Sequence, residues 1–118
     1  MIAIIGAGKL GKLIADALKD KFEFFSTNTT GENGYKKFDI NSDSFLTLPV
    51  AQTYIINIPP SKIQLDSFIQ NINLIKSTKI IFISSTSVYG ETEGVIDELT
   101  TPNPITESAK KLVQIENI

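Results

Sequence analysis

Three glycines in the run Gly6-Ala7-Gly8-Lys9-Leu10-Gly11 carry the spacing in this chain that most directly implies chemistry. Between a strand and a helix, the first glycine permits a tight turn, the second lets the backbone approach a pyrophosphate, and the third lets the helix pack on its strand. A helix opened by such a loop offers free N–H groups and a partial positive charge, so the chemistry is recognition of a phosphate-bearing ligand. A loop that merely turns the chain would use the same residues. A different phosphate loop, GxxxxGK[ST], is nearly completed by Gly6 and Gly11-Lys12. It fails at Leu13, where a magnesium-binding hydroxyl is required, and no acidic strand end follows at residues 53–58.

What the chain lacks narrows the rest. With no Cys and no His it has no zinc ligand set, no thiol chemistry and no Ser-His-Asp arrangement, and no metal site is expected. All 11 basic residues are Lys, so anions fall to lysine, hydroxyls or backbone N–H groups rather than to the bidentate fork of arginine. A net charge of −2, with acidic and basic residues dispersed, gives no footprint for nucleic acid and no cationic face for a membrane. Small molecules are the expected partners. Met1 runs into a short apolar stretch ending at Gly6, too brief for a signal peptide or a membrane span, and the expected location is the cytoplasm.

These residues need elements to position them. Ile2 to Ile5 is a short β-branched apolar run suited to a strand buried on both faces. From Lys9 to Lys19 the period becomes helical, with Leu10, Leu13, Ile14, Ala17 and Leu18 on the expected inner stripe. Further strands are expected at 22–26, 35–40, 53–58 and 79–84. A short helix is expected from Asn41 or Ser42 to Leu48, stopped by Pro49. A second follows a Ser61/Gln64 capping box, with Leu65, Phe68, Ile69, Ile72 and Ile75 buried. A last one runs from Thr106 to Asn117 with Ala109, Leu112 and Val113 inward. Apolar strands alternating with helices imply a parallel sheet covered on both faces. Right-handed crossovers favour a Rossmann-like doubly wound order, 3-2-1-4-5, as one domain over residues 1–118. The ligand site then falls at the loops 6–11, 26–30, 57–61 and 84–90.

A dinucleotide site of this type has an acidic residue about 20 positions after its first glycine. Here strand two ends Ser26-Thr27-Asn28-Thr29-Thr30, with no carboxylate to repel a 2′-phosphate. Ser26, Thr27 and Asn28 are therefore expected cofactor contacts, and NADP is favoured over NAD. No Arg or neighbouring Lys is evident to support them, and a polar surface loop would read alike.

The segment Ile81-Phe82-Ile83-Ser84-Ser85-Thr86-Ser87-Val88-Tyr89-Gly90 resembles the SSxSVYG stretch of extended short-chain dehydrogenase/reductases, the nucleotide-sugar epimerases and dehydratases. Asp39-Ile40 resembles that family's Asp-Ile/Leu pair, which contacts adenine, and the likeness runs from Ile2 to about Glu116. The resemblance implies that Ser85 is the catalytic hydroxyl holding the substrate's reacting oxygen. It also implies that Asn57, Ile58 and Pro59 lie along the cofactor, beside Gly6, Gly8, Lys9, Leu10 and Gly11. A hydroxyl-rich turn after strand five would account for the same serines and threonines.

The family's YxxxK helix is not reproduced. Aligned on Glu116, Ser108 stands where Tyr belongs and Leu112 where Lys belongs, and the shifted register Thr106/Lys110 also lacks a phenol. Tyr89 belongs to the VYG turn. A serine hydroxyl without a neighbouring base is a poor general acid/base, and there is no His to help. The family also continues into a sixth strand and a substrate-binding C-terminal part that this chain does not contain. Two functions follow as expectations: a dinucleotide-binding module without its own turnover, or an NAD(P)-dependent epimerase, dehydratase or reductase acting on a nucleotide sugar. A homodimer is expected because strand five would be left as an apolar sheet edge, with the last two helices available to pair.

Overall fold

The computed structural model describes residues 1–75, 78–83 and 107–117. Ile2–Ile5, β-branched and apolar, forms β1 at the centre of the sheet, with Ala3, Ile4 and Ile5 buried. It is flanked by β2 (Phe24–Asn28) and β4 (Thr53–Ile56), and then by β3 (Lys36–Lys37) and β5 (Lys79–Phe82). All pairings are parallel, and the order is β3-β2-β1-β4-β5, as expected. The helices are α1 (Lys9–Leu18), α2 (Leu65–Asn73) and α3 (Glu107–Glu116). Among the described residues no helix is long and apolar enough to cross a membrane.

One core holds Ala3, Ile5, Tyr54 and Ile56 from the sheet with Phe68 and Ile72 of α2 and Ile115 of α3. Phe45 sits at its centre, stacked on Phe38 at 5.2 Å between ring centroids and edge-on to Tyr54 at 5.3 Å. Such ring pairs add to plain area burial because edge and face carry opposite partial charge.

Several element boundaries differ from the sequence expectation. β2 begins two residues late because the amides of Lys21 and Phe22 both donate to the Leu18 carbonyl, which keeps Phe22 in the helix-ending turn. β3 is only two residues long: after Phe38 donates to Asn28 O, the amides of Ser42 and Asp43 fold back onto the Asp39 carbonyl and the chain leaves the sheet. The helix expected up to Leu48 is a single 3-10 turn, Phe45–Thr47, started by the Ser44 hydroxyl accepting from Leu46 N. The Ser61/Gln64 box does not form. Pro60–Lys62 is a 3-10 turn, and Gln64 starts α2 while its amide donates to the Asn41 side chain.

The helix faces are also corrected. On α1 the inner stripe is Gly11, Ile14, Ala15 and Leu18, one position out of phase with the expected one, and Leu13 is 65% exposed. The reason is Gly11: lacking a side chain, it brings the helix onto the sheet at its own position and rotates Leu10 and Leu13 outward. On α3, Ile115 joins Ala109 and Leu112 in the interior, while Val113 is half-buried.

Asn71 is one of two polar side chains buried among the described residues. Its carboxamide accepts from Phe45 N at 2.9 Å and donates to Ile40 O at 3.2 Å and Asp43 O at 2.6 Å, which fastens the β3–β4 connection onto α2. In Asn71→Asp the two donated bonds become contacts between oxygens. Each buried group left unsatisfied costs about 1–3 kcal/mol, so the urea midpoint should fall clearly. An unchanged midpoint would show that these bonds do not hold the connection.

Candidate functional site

The glycine loop is held from both sides by neighbouring strands. Gly6 has φ +98°, and a Cβ there would run into the Asn57 carbonyl just past β4. The Gly6 amide donates to Thr27 Oγ1 at 3.3 Å, and its carbonyl accepts from Asn57 Nδ2 at 3.2 Å. Thr27 is fully buried at the end of β2, so its hydroxyl serves the loop. Gly8, φ +21°, is the N-cap of α1, whose first turn contains no acidic side chain. The opening amides of such a turn lack intrahelical acceptors.

Two cavities open at the carboxyl ends of the strands and meet at this loop. The larger, about 910 Å³, is lined by Gly6, Ala7 and Gly8, by Thr27, Asn28 and Thr29 after β2, by Phe38 to Asn41 after β3, and by the 57–65 segment. The smaller, about 340 Å³, is lined by Gly8, Lys9, Leu10, Pro60, Ile83 and Leu112. Gly8, Asn57, Ile58 and Pro59 line both.

Most of the expected site residues therefore converge. Gly6, Gly8, Thr27, Asn28, Asp39, Ile40, Asn57, Ile58 and Pro59 surround the larger cavity, and Lys9 and Leu10 border the smaller one. Gly11 is buried behind the loop, where a Cβ would stand 2.7 Å from Gly6 O. Ser26 does not reach either cavity; it is half-buried within β2, paired in register with Ile4. Ser85 and the SSTSVYG segment lie outside the described residues.

Sequence reasoning missed two contributors and one neighbouring lysine. Asn41 ties the β3 side of the cavity to the β4 side, donating to Lys62 O and accepting from Gln64 N, both at 2.8 Å. Lys111 reaches in from α3, donating to Ile63 O at 3.0 Å. Lys37 stands opposite Asn28 in the β2–β3 register, so a lysine does adjoin the end of β2. None is near its partner in sequence, and only the strand pairing and the docking of α3 reveal them. Asn28 itself accepts from Gly31 N and donates to Glu32 O, closing the turn after β2.

Parallel order, switch-point cavity and glycine loop together define a Rossmann-like fold. Among solved structures the chain is similar to UDP-glucose 4-epimerase, with a TM-score of 0.75 and 20% identity over 98% of this chain and 45% of that one. It is likewise similar to UDP-glucuronic acid 4-epimerase from Bacillus cereus in complex with NAD, with a TM-score of 0.71 and 20% identity over 99% of this chain and 50% of that one. The chain thus spans about half the length of these structures. A 39-residue stretch is 49% identical to Protein YeeZ of Escherichia coli (strain K12), covering 33% of this chain and 14% of that protein. No protein-family profile matches the chain.

Two valine substitutions separate loop packing from loop access. Gly11→Val drives a side chain into the Gly6 carbonyl and should cost about 1–3 kcal/mol of stability. The nearest atom to a Cβ at Gly8 is Asn57 Nδ2 at 3.8 Å, so Gly8→Val should destabilise less, through its backbone angle alone. Thermal unfolding followed by circular dichroism compares the two; a Gly8 variant as damaged as the Gly11 variant would contradict this geometry.

Proposed function

We propose that the chain binds an NAD(P) dinucleotide across the glycine loop without independent turnover. The observation that carries this is the meeting of two cavities at Gly8, the one of the loop's three glycines where a Cβ would meet nothing closer than ordinary contact, Asn57 Nδ2 at 3.8 Å. A pyrophosphate at Gly8 would face the first amides of α1, with the adenosine half in the larger cavity and the nicotinamide half in the smaller. Asp39 and Ile40 stand where adenine would lie. When bound, the dinucleotide would supply hydride chemistry.

The chain's own residues support binding better than catalysis. Leu112, at the position where the resembling family places its lysine, is buried and borders the smaller cavity. An alkyl group there holds no ribose hydroxyl and lowers no neighbour's pKa. The second function remains an epimerase, dehydratase or reductase on a nucleotide sugar, with Ser85 as its catalytic hydroxyl. It is favoured by the likeness to sugar-nucleotide epimerases, and turnover on UDP-sugars that disappears in Ser85→Ala would establish it. A homodimer through β5 stays part of the proposal: Ile81 is 39% exposed on that strand, whereas Phe68, Ile72 and Leu112 face the chain's own core.

Gly8→Val should weaken NADPH and NADH binding at least about tenfold, which corresponds to 1.4 kcal/mol. Unchanged affinity in the folded variant would refute binding at the loop. For the cofactor, Asn28 in place of a carboxylate, with Lys37 beside it, favours NADP. Asn28→Asp keeps the acceptor for Gly31 N and adds a negative charge, so the affinity ratio should move toward NADH by roughly tenfold. A ratio that does not move would place the 2′-position elsewhere.

A further inference from the structure

Lys111 enters the larger cavity from an unexpected direction, 48 residues beyond the rim it contacts. Its side chain is half-buried, and its ammonium donates to the Ile63 carbonyl at 3.0 Å. An ammonium has three N–H donors, and no carboxylate pairs with this one among the described residues. A half-buried ammonium bonded to one neutral carbonyl keeps N–H donors with which to meet an anion in the cavity.

The cavity's charge points the same way. Its charged lining residues are Lys62, Lys111 and Asp39, two positive against one negative, in a chain whose net charge is −2. That small positive excess, in a protein of net negative charge, favours an anionic ligand in this cavity over a cationic one. The next residue on α3, Leu112, borders the smaller cavity, so the helix spans the junction at which Gly8 sits.

We infer that Lys111 is a phosphate-binding residue of this site, set by α3 over the larger cavity to neutralise a ligand phosphate while it stays bonded to Ile63 O. The inference rests on the proposed dinucleotide binding. It fills the role that arginine, absent from the chain, would otherwise serve.

The test is titration of the full chain and of Lys111→Met, which keeps the alkyl stem, with NADH, NADPH and adenosine at several salt concentrations. Lys111→Gln, which retains a donor for Ile63 O without the charge, replaces the Met variant if that one does not fold. The expected result is a loss of about tenfold for the phosphate-bearing ligands, a shallower salt dependence, unchanged adenosine binding, and recovery in Lys111→Arg. Equal losses for NADH and NADPH identify the pyrophosphate, and a loss confined to NADPH identifies the 2′-phosphate. Unchanged NADH and NADPH binding overturns the inference while dinucleotide binding stands. Equal weakening of adenosine also overturns it, because Lys111 would then only hold the cavity wall. If the unaltered chain binds neither dinucleotide, the functional proposal fails and this inference with it.

Discussion

Gly6 lies so close to the chain leaving β4 that the Asn57 carbonyl occupies the space a Cβ would need, and the rest of the site follows from that contact. The close approach lets Asn57 Nδ2 reach the Gly6 carbonyl and lets buried Thr27 take the Gly6 amide. Neighbours from β2 and the end of β4 thus fix the two peptide units that flank the Gly6 α-carbon, and the loop that follows has little freedom before α1 begins. Gly11 completes the arrangement by seating the helix against the same carbonyl. The result is a rigid, positively polarised concavity at the centre of the sheet, built from backbone rather than side chains. That suits an anionic ligand in a chain without arginine or histidine.

The distant walls are held by side-chain amides. Asn71, buried on α2, secures the connection that carries Asp39 and Ile40, and Asn41 couples that connection to the rim at Lys62 and Gln64. Lys111 adds α3 to the same rim. Each bond satisfies a backbone group in the irregular chain in or beside the short 3-10 turns, which is how a cavity lined by such chain can keep its shape.

The parts of this design legible in the sequence are those set by local pattern. Apolar runs alternating with helical periods specify the parallel order, and the spacing of Gly6, Gly8 and Gly11 marks the loop. Boundaries were less legible where tertiary contacts compete with propensity. Phe45 ends in a 3-10 turn because its ring is claimed by Phe38 and Tyr54 and its amide by Asn71. The α1 stripe was misread because hydrophobicity weights Leu10 and Leu13, whereas the closest contact belongs to Gly11, which has no hydrophobic signal. Lys37 and Lys111 were invisible as site residues because a lysine on a strand or helix reads as solvated surface until pairing places it.

The central claim is that a dinucleotide phosphate rests on the first turn of α1. It is tested most directly by amide chemical shifts in a ¹H–¹⁵N spectrum of the chain titrated with NADPH. Saturable shifts are expected, concentrated at Gly6 to Gly11 and at Asn57 and Ile58, with smaller ones at Asp39 to Asn41. Shifts that avoid the glycine loop, or none at millimolar ligand, would contradict it.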